Sequence, residues 1–163
     1  MNERSTARAL KWIVDIINKE KIPFQLIGGL AARNYGATRK LADIDIGLAI
    51  SAVDRLLPEI GRFITYGPAQ YKDQEWDVTE QMTVIYEGQE IDLPRADTMK
   101  IFNKKEGVWE LFPFDISLSV YANVLGLHIP VISKEMLVSY KSKIGRTVDL
   151  LDVTEIAERS NSV

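Results

Sequence analysis

The sequence predicts an α/β fold of one domain, in which helices alternate with short strands. The chain opens with apolar residues at helical spacing, continues with two short apolar runs on either side of a polar loop, and later joins two β-rich runs through a Glu-Gly turn. A length of 163 residues suits a single domain that needs no metal or disulfide to fold.

The first part of the chain alternates helix and strand. The segment "STARALKWIVDIINKEK" is apolar at positions 10, 13, 14 and 17, which predicts a helix with Ser5 as its cap. After Pro23, "FQLIGG" predicts a short buried strand, "LAARNYG" a short helix and "TRKLA" a loop. The segment "DIDIGLAI" predicts a second strand, and "SAVDRLLPEIGRFI" predicts a third helix that Ser51 caps.

The second part combines a hairpin with a more helical end. The segment "YGPAQYKDQEW" predicts a loop, and "QMTVIYEGQEIDLP" predicts a hairpin around Glu87 and Gly88. The segment "DISLSVYANVLG" fits a helix or a strand, whereas "LHIPVIS" predicts a strand that ends at a cap, Ser133. Two final helices are predicted, by "KEMLVSYKSKIG" and "TVDLLDVTEIAERS". We therefore expect one domain over residues 1–163, with a core from about 10 to 95 and a small helical annex from about 96 to 163.

Composition excludes several classes of site. The chain has no cysteine, which excludes disulfides, zinc–thiolate sites and a thiol nucleophile. No run approaches the roughly 18 apolar residues of a membrane span, and the N-terminal segment lacks an apolar signal core. We therefore expect a cytoplasmic protein without a membrane partner. With 20 basic and 23 acidic residues and a net charge of −3, no global footprint for nucleic acid is present.

Acidic residues interrupt two of the predicted strands. Asp43 and Asp45 are two residues apart and therefore share one strand face, while the isoleucines between and after them face the core. Like charges so placed raise each other's pKa unless a cation intervenes, and magnesium prefers oxygen ligands of this kind. Asp92 in "QEIDLP" is a third such carboxylate, with Glu90 as a competitor on the same face. Each acid taken alone is more typical of a solvent-exposed sheet face than of a metal site.

A Gly-Gly pair stands where the first strand meets the next helix. Backbone without side chains at Gly28 and Gly29 permits close approach of a phosphate to a helix N-terminus. A tight strand-to-helix turn would need the same glycines for geometry alone. Neither the dinucleotide-binding fingerprint nor the P-loop motif occurs in the chain.

The combination of these features resembles the nucleotidyltransferase superfamily of the DNA polymerase beta type. The matching features are "LIGG", thirteen intervening residues, "DIDI", and the later carboxylate in "EIDL". The chain looks similar to small bacterial and archaeal members, among them relatives of lincosamide-modifying enzymes and of abortive-infection toxins. Arg39, four residues before the first Asp, matches them, whereas Leu41 replaces their usual threonine. The segment "SYKSKIGRTVDLLDV" is similar to their late helix that carries Lys and Arg before an Asp-rich helix.

The resemblance implies a mixed sheet flanked by helices and a defined chemistry. A magnesium- or manganese-dependent enzyme of this type transfers a nucleoside monophosphate from a nucleoside triphosphate, such as ATP, to an acceptor hydroxyl and releases pyrophosphate. The implied metal-binding and catalytic residues are Asp43, Asp45 and Asp92. The implied nucleotide-binding residues are Gly28, Gly29, Arg39 and either Lys141 or Lys143.

Several alternatives stay open at the level of sequence. The acceptor is a small molecule, an RNA end or a protein, and the chain is an enzyme or a non-catalytic nucleotide- or partner-binding relative. The second class includes a toxin–antitoxin component, with an antitoxin partner, and a regulator; a homo-oligomer is compatible with either. Asp149 and Asp152, at i and i+3 on the last helix, are expected to face solvent or Arg146.

Overall fold

The computed structural model of the chain describes residues 2–161 and shows a mixed sheet flanked by helices, as predicted. Five helices occur in this part of the chain: α1 (Glu3–Lys19), α2 (Gly28–Asn34), α3 (Val53–Ile60), α4 (Lys134–Ile144) and α5 (Thr147–Asn161). The strands are β1 (Phe24–Ile27), β2 (Asp43–Leu48), β3 (Ile64–Lys72), β4 (Trp76–Tyr86), β5 (Gln89–Pro94), β6 (Lys100–Asn103), β7 (Val108–Leu111), β8 (Val120–Val124) and β9 (Leu127–Val131). No helix among residues 2–161 is long and apolar enough to cross a membrane.

The centre of the sheet brings together strands that are far apart in sequence. Strand β2 pairs antiparallel with β1 on one side and parallel with β5 on the other. The predicted hairpin of β4 and β5 is present, with Glu87 and Gly88 between the two strands. Strand β9 pairs parallel with β1, so the C-terminal part of the chain extends the same sheet. The parallel β2–β5 pair matters most for function, because it places the ends of two acid-bearing strands side by side.

The core lies on the face of the sheet opposite those acids. Ile44 and Ile46 of β2 are fully buried, as the alternation of "DIDI" predicts. Helix α1 covers the sheet with its apolar residues, and those at positions 10, 13, 14 and 17 are all buried. The alternating pattern therefore leaves the other face of β2 available for polar side chains.

Three sequence-based predictions of secondary structure are wrong. The expected loop 66–76 is mostly strand, because β3 pairs along β4 while its side chains stay exposed and show no burial pattern. Helix α1 is capped by Asn2, whose side chain accepts from the Arg4 N–H, not by Ser5. Ser51 does not cap α3 and donates instead to Glu80. In residues 96–161 the two predicted helices are present as α4 and α5 and the predicted strand as β9, and three further short strands occur, which carry too few residues to show a period.

Candidate active site

Four carboxylates come together where β2 and β5 pair. In the parallel register Asp45 lies opposite Asp92, and Asp43 lies opposite Glu90. Carboxylate oxygens of Asp43, Glu90 and Asp92 all lie within 4.8 Å of one another. Such a set of hard oxygen donors fits a magnesium or manganese ion, and histidine and cysteine ligands are not among them.

Polar side chains of β4 orient Asp92. The Thr83 hydroxyl donates to Asp92 Oδ1 at 2.6 Å, and the Gln81 amide donates to the same oxygen at 3.1 Å. Burial raises the pKa of Asp92 to about 6; the Thr83 hydrogen bond opposes this shift, and the charges of Asp43 and Glu90 add to it. The negative charge of Asp92 is therefore disfavoured, and a bound cation or proton would relieve this.

Asp45 lies beneath the Gly-Gly turn. Gly28 has φ +69°, and a Cβ atom at this position would lie 2.2 Å from Asp45 Oδ2. Burial raises the pKa of Asp45 well above its usual value, and the charges of Asp43 and Asp92 raise it further. The Gly28 N–H donates to the Tyr140 hydroxyl at 2.9 Å, and burial, followed by the charge of Asp45, raises the pKa of that phenol. Glycine at position 28 therefore allows the turn to lie directly against the Asp45 carboxylate.

The second glycine of the turn contacts the loop that precedes β2. A Cβ atom on Gly29 would lie 2.7 Å from Leu41 Cδ2 and 2.9 Å from Arg39 Nη2. Leu41 is buried, so the position at which similar proteins usually carry threonine makes an apolar contact here. The Arg39 guanidinium lies directly against the backbone where α2 begins, and its positive charge adds to that of the helix N-terminus.

Helices α4 and α5 provide further charges on the same side. Lys141 forms ion pairs with Asp149 and Asp152, and Arg146 pairs with Asp149. Both aspartates are fully buried, so the expectation of solvent-facing carboxylates is wrong, although the contact between Asp149 and Arg146 is present. Ion pairs with Lys141 and Arg146, and between Asp152 and Arg39 of the loop before β2, compensate for their burial.

These residues surround one cleft of about 540 Å³. Its lining includes the acids of β2 and β5 and the glycine turn, together with Arg39, Lys141 and Arg146. Strands β3 and β4 and the turn between them add Tyr66, Tyr71, Asp73 and Trp76. The cleft lies within the usual size range of small-molecule sites, and its lining combines cations with carboxylates.

Comparison with known proteins agrees with this architecture. No family model matches the chain, and no curated protein matches it in sequence. The crystal structure of a "putative nucleotidyltransferase" from Thermotoga maritima superposes with a TM-score of 0.72 over 100% of this chain and 97% of that chain, at 20% identity. A lincosamide antibiotic adenylyltransferase with lincomycin bound has a TM-score of 0.59, 17% identity, and coverage of 93% of this chain and 96% of that chain. ANT(2″)-Ia in complex with adenylyl-2″-tobramycin has a TM-score of 0.58, 14% identity, and coverage of 94% and 88%.

The chain has the nucleotidyltransferase fold. Within this fold, most of the residues singled out from the sequence line one cleft: Asp43, Asp45, Asp92, Gly28, Gly29, Arg39 and Lys141. Lys143 is the exception among the two lysines, because its ammonium group pairs with Glu110 and it is absent from the cleft lining. The roles of these residues in binding or catalysis stay predictions.

Sequence reasoning missed the supporting residues of the cleft. Thr83 and Gln81 lie on β4 and contact Asp92, and Tyr140 on α4 contacts the glycine turn. One signal could have indicated Thr83: the hairpin turn at Glu87 and Gly88 sets a register in which Thr83 lies opposite Asp92. Tyr140 carried no such signal, because its contact spans 112 residues.

Proposed function

We propose that the protein is a magnesium- or manganese-dependent nucleotidyltransferase that transfers a nucleoside monophosphate from ATP or another nucleoside triphosphate to an acceptor hydroxyl. The observation that carries this proposal is the meeting of Asp43, Asp45 and Asp92 in a cleft whose lining also includes the glycine turn and cationic side chains. The shared fold with proteins named for nucleotidyl or adenylyl transfer supports this proposal.

In this proposal, some residues of the cleft supply charge and others fix the position of the nucleotide. The three aspartates would hold the divalent ions, which neutralise phosphate oxygens and orient the reacting groups when bound. Gly28, Gly29 and Arg39 would bind phosphate oxygens at the start of α2, with Lys141 adding positive charge. Lys143 is not part of this assignment because it lies outside the cleft.

The reaction is an in-line displacement at the α-phosphorus. The acceptor oxygen forms a bond to that phosphorus while the bond to the bridging oxygen between the α- and β-phosphates breaks, and pyrophosphate leaves. Asp92 would take the proton from the acceptor hydroxyl, because its raised pKa brings it nearer to neutral pH than an ordinary aspartate. ATP is our proposed donor, since two proteins with this fold are named for adenylyl transfer or its product. A nucleotide substrate of this kind also agrees with a cytoplasmic location.

We propose a small hydroxyl-bearing molecule as the acceptor. The cleft is of small-molecule size, and its lining from β3 and β4 presents partly exposed Tyr66 and Tyr71 beside Asp73. Two structures with this fold contain lincomycin and adenylyl-2″-tobramycin, respectively. Neither compound is assigned to this chain, but both show that the fold can accept molecules of this size.

Label transfer tests the activity. The purified protein is incubated with Mg²⁺, each α-³²P-labelled ribonucleoside triphosphate, and either a panel of hydroxyl-bearing small molecules or a cell extract. We expect label on a small molecule, lost in Asp45→Asn and retained in Asp54→Asn, which changes an exposed acid on α3 outside the cleft lining. Label on RNA or protein would contradict the proposed acceptor class. Nucleotide binding without transfer to any acceptor would instead favour the non-catalytic binding protein.

A further inference from the structure

Two buried carboxylates of α5 have no part in the chemistry proposed above. Asp149 and Asp152 are both fully buried and lie one helical turn apart. Neither is among the residues that line the cleft. Burying an ionised carboxylate is costly unless charged or hydrogen-bonding partners compensate, so the partners of these two residues indicate what they do.

The first partner is Lys141, which lies between them. Its Nζ atom is 3.2 Å from Asp149 Oδ1 and 3.0 Å from Asp152 Oδ2, and only 1% of the residue is exposed. Lys141 thereby joins α4 to two successive turns of α5. Its ammonium group is already engaged by two carboxylates and is the most deeply buried cation of the cleft lining.

Each carboxylate also holds one arginine. Asp152 Oδ1 accepts from Arg39 Nε at 2.9 Å, and Asp149 Oδ2 accepts from Arg146 Nε at 2.7 Å. Burial acts to raise the pKa of Asp149, but the hydrogen bond from Arg146 and the charge of Lys141 outweigh it, and this pKa lies below its usual value. The side chains of Arg39 and Arg146 are 19% and 40% exposed, and both line the cleft. The resulting chain of contacts is Arg39–Asp152–Lys141–Asp149–Arg146.

Arg39 depends on this chain because its own backbone has little support. It lies in the loop between α2 and β2, where residues 37–42 form neither helix nor strand. Besides Asp152, Arg39 lies against the Gly29 backbone with its guanidinium and accepts a hydrogen bond from Arg33 with its carbonyl oxygen. The carbonyl contact does not restrain the side chain, so Asp152 is the group that orients the guanidinium.

We propose that Asp149 and Asp152 are positioning residues that, with Lys141 between them, hold Arg39 and Arg146 in place for the triphosphate before it binds. The proposal rests on the proposed nucleotide-dependent function. Ordering two long arginine side chains in advance removes an entropic cost from binding, which is the general benefit of preorganisation. The last helix of the fold is then part of the nucleotide site although none of its acids contacts the nucleotide.

A double-mutant cycle tests the link between Asp152 and Arg39. The affinities of the wild type, Asp152→Asn, Arg39→Gln and the double variant for the α,β-methylene analogues of the four ribonucleoside triphosphates are measured with Mg²⁺ by calorimetry. We expect Asp152→Asn alone to weaken binding by about tenfold, and by less than about threefold in the Arg39→Gln background. A purely structural role would give equal losses in the two backgrounds. Asp149→Asn paired with Arg146→Gln provides an independent second cycle should Asp152→Asn fail to fold.

Controls separate the two levels of the proposal. Glu158→Gln changes an exposed acid on the same helix and should leave the affinity unchanged. Wild-type binding that is unaffected by Asp152→Asn or Asp149→Asn would overturn the positioning role and leave the proposed function intact. A wild type that binds none of the four analogues would overturn the proposed function and the positioning role with it.

Discussion

At the residue scale, Gly28 has the most restrictive environment in the cleft. Its φ of +69° disfavours any side chain, and its missing Cβ leaves room for the Asp45 carboxylate. The turn and the acid are therefore coupled: a side chain at position 28 has to displace Asp45 or move the helix start. This coupling gives a physical reason for a glycine at this position that does not depend on any bound phosphate.

We predict that Gly28→Ala lowers the free energy of unfolding by about 2–4 kcal/mol, of which roughly 1–2 kcal/mol is backbone strain. Gly88→Ala is the matched control, because Gly88 also has a positive φ of +81° but no atom lies within 4 Å of its absent Cβ. Urea denaturation of both variants separates strain from steric conflict. Equal losses in the two variants would show that Asp45 does not lie against the turn.

The ionised carboxylate of Asp92 destabilises the folded protein. Its pKa in the folded protein is about 6, above the roughly 3.9 of an unfolded aspartate, so the native state binds the proton more tightly between these values. The ion-free protein should therefore gain stability from this group as the pH falls from about 7 to 4, and lose it as the pH rises.

We predict that Asp92→Asn stabilises the ion-free protein by about 1–2 kcal/mol at pH 8 and by much less at pH 5. The substituted amide keeps an oxygen that can accept from Thr83 and Gln81. Urea denaturation at the two pH values measures the effect, and transfer activity should be lost at the same time. A variant less stable than the wild type at pH 8 would contradict the sign of the raised pKa.

Much of the residue-level site could be predicted from sequence because strand alternation is a local rule. Residues i and i+2 of a strand point to the same face, so Asp43 and Asp45 could be placed together without knowing the fold. The convergence of Asp92 with them could only be proposed, since it depends on β5 pairing parallel to β2. Tyr140 was missed because its contact follows from packing between distant segments, whereas the contact of Thr83 follows from the register of the β4–β5 hairpin.

At the element scale, helix α4 separates two lysines that the sequence left as alternatives. Lys141 is on the buried side and contacts two carboxylates of α5, whereas Lys143 is partly exposed and pairs with Glu110. Two residues on a helix are about 200° apart, so only one of the two lysines can face α5. Their spacing along α4 shows that the two lysines lie on different sides of the helix, but it does not show which of the two is buried.

We predict that Lys141→Met destabilises the protein by about 3–5 kcal/mol, because it removes the shared partner of two buried carboxylates. Lys143→Met, which breaks only an exposed ion pair, should cost about 1 kcal/mol or less and leave nucleotide affinity unchanged. Chemical denaturation and nucleotide titration of the two variants provide the comparison. A larger loss in Lys143→Met than in Lys141→Met would reverse the assignment.

For helix α5, the sequence pattern predicts the secondary structure correctly but not the burial of two of its side chains. Its position along the chain agrees with the prediction, but Asp149 and Asp152 are buried instead of solvated. Charged residues at i and i+3 are usually a solvent-facing stripe. Here their partners come from a loop more than 100 residues earlier and from α4, which local periodicity does not report.

At the scale of the whole molecule, the metal-binding role that we propose for the three aspartates would link cation binding to folding. A site that exists only in the folded state makes the protein more stable when its ligand is present. The raised pKa values of Asp45 and Asp92 mean that cations compete with protons for the same carboxylates. Stabilisation by cations should therefore depend on pH.

We predict that 10 mM MgCl₂ raises the midpoint of thermal unfolding by about 3–6 °C at pH 8, as expected for a site with Kd near 1 mM, and by little at pH 5. Sodium chloride at matched ionic strength controls for screening. Asp45→Asn should remove most of the response. An equal response to Mg²⁺ at both pH values, or in the variant, would argue against these carboxylates as the metal site.

The sequence by itself determined the alternation of helices and strands, the polar face of β2 and the glycine turn beside it, because these follow from local periodicity and backbone preference. Only the tertiary structure decided that β2 pairs with β5, that Lys141 and not Lys143 reaches the cleft, and that Asp149 and Asp152 are buried beneath two arginines. The physical reason is that strand pairing and charge burial depend on contacts between segments far apart in the chain. The free energies of strand pairing and charge burial depend on the residues that are in contact in the folded protein, not on the neighbours in sequence.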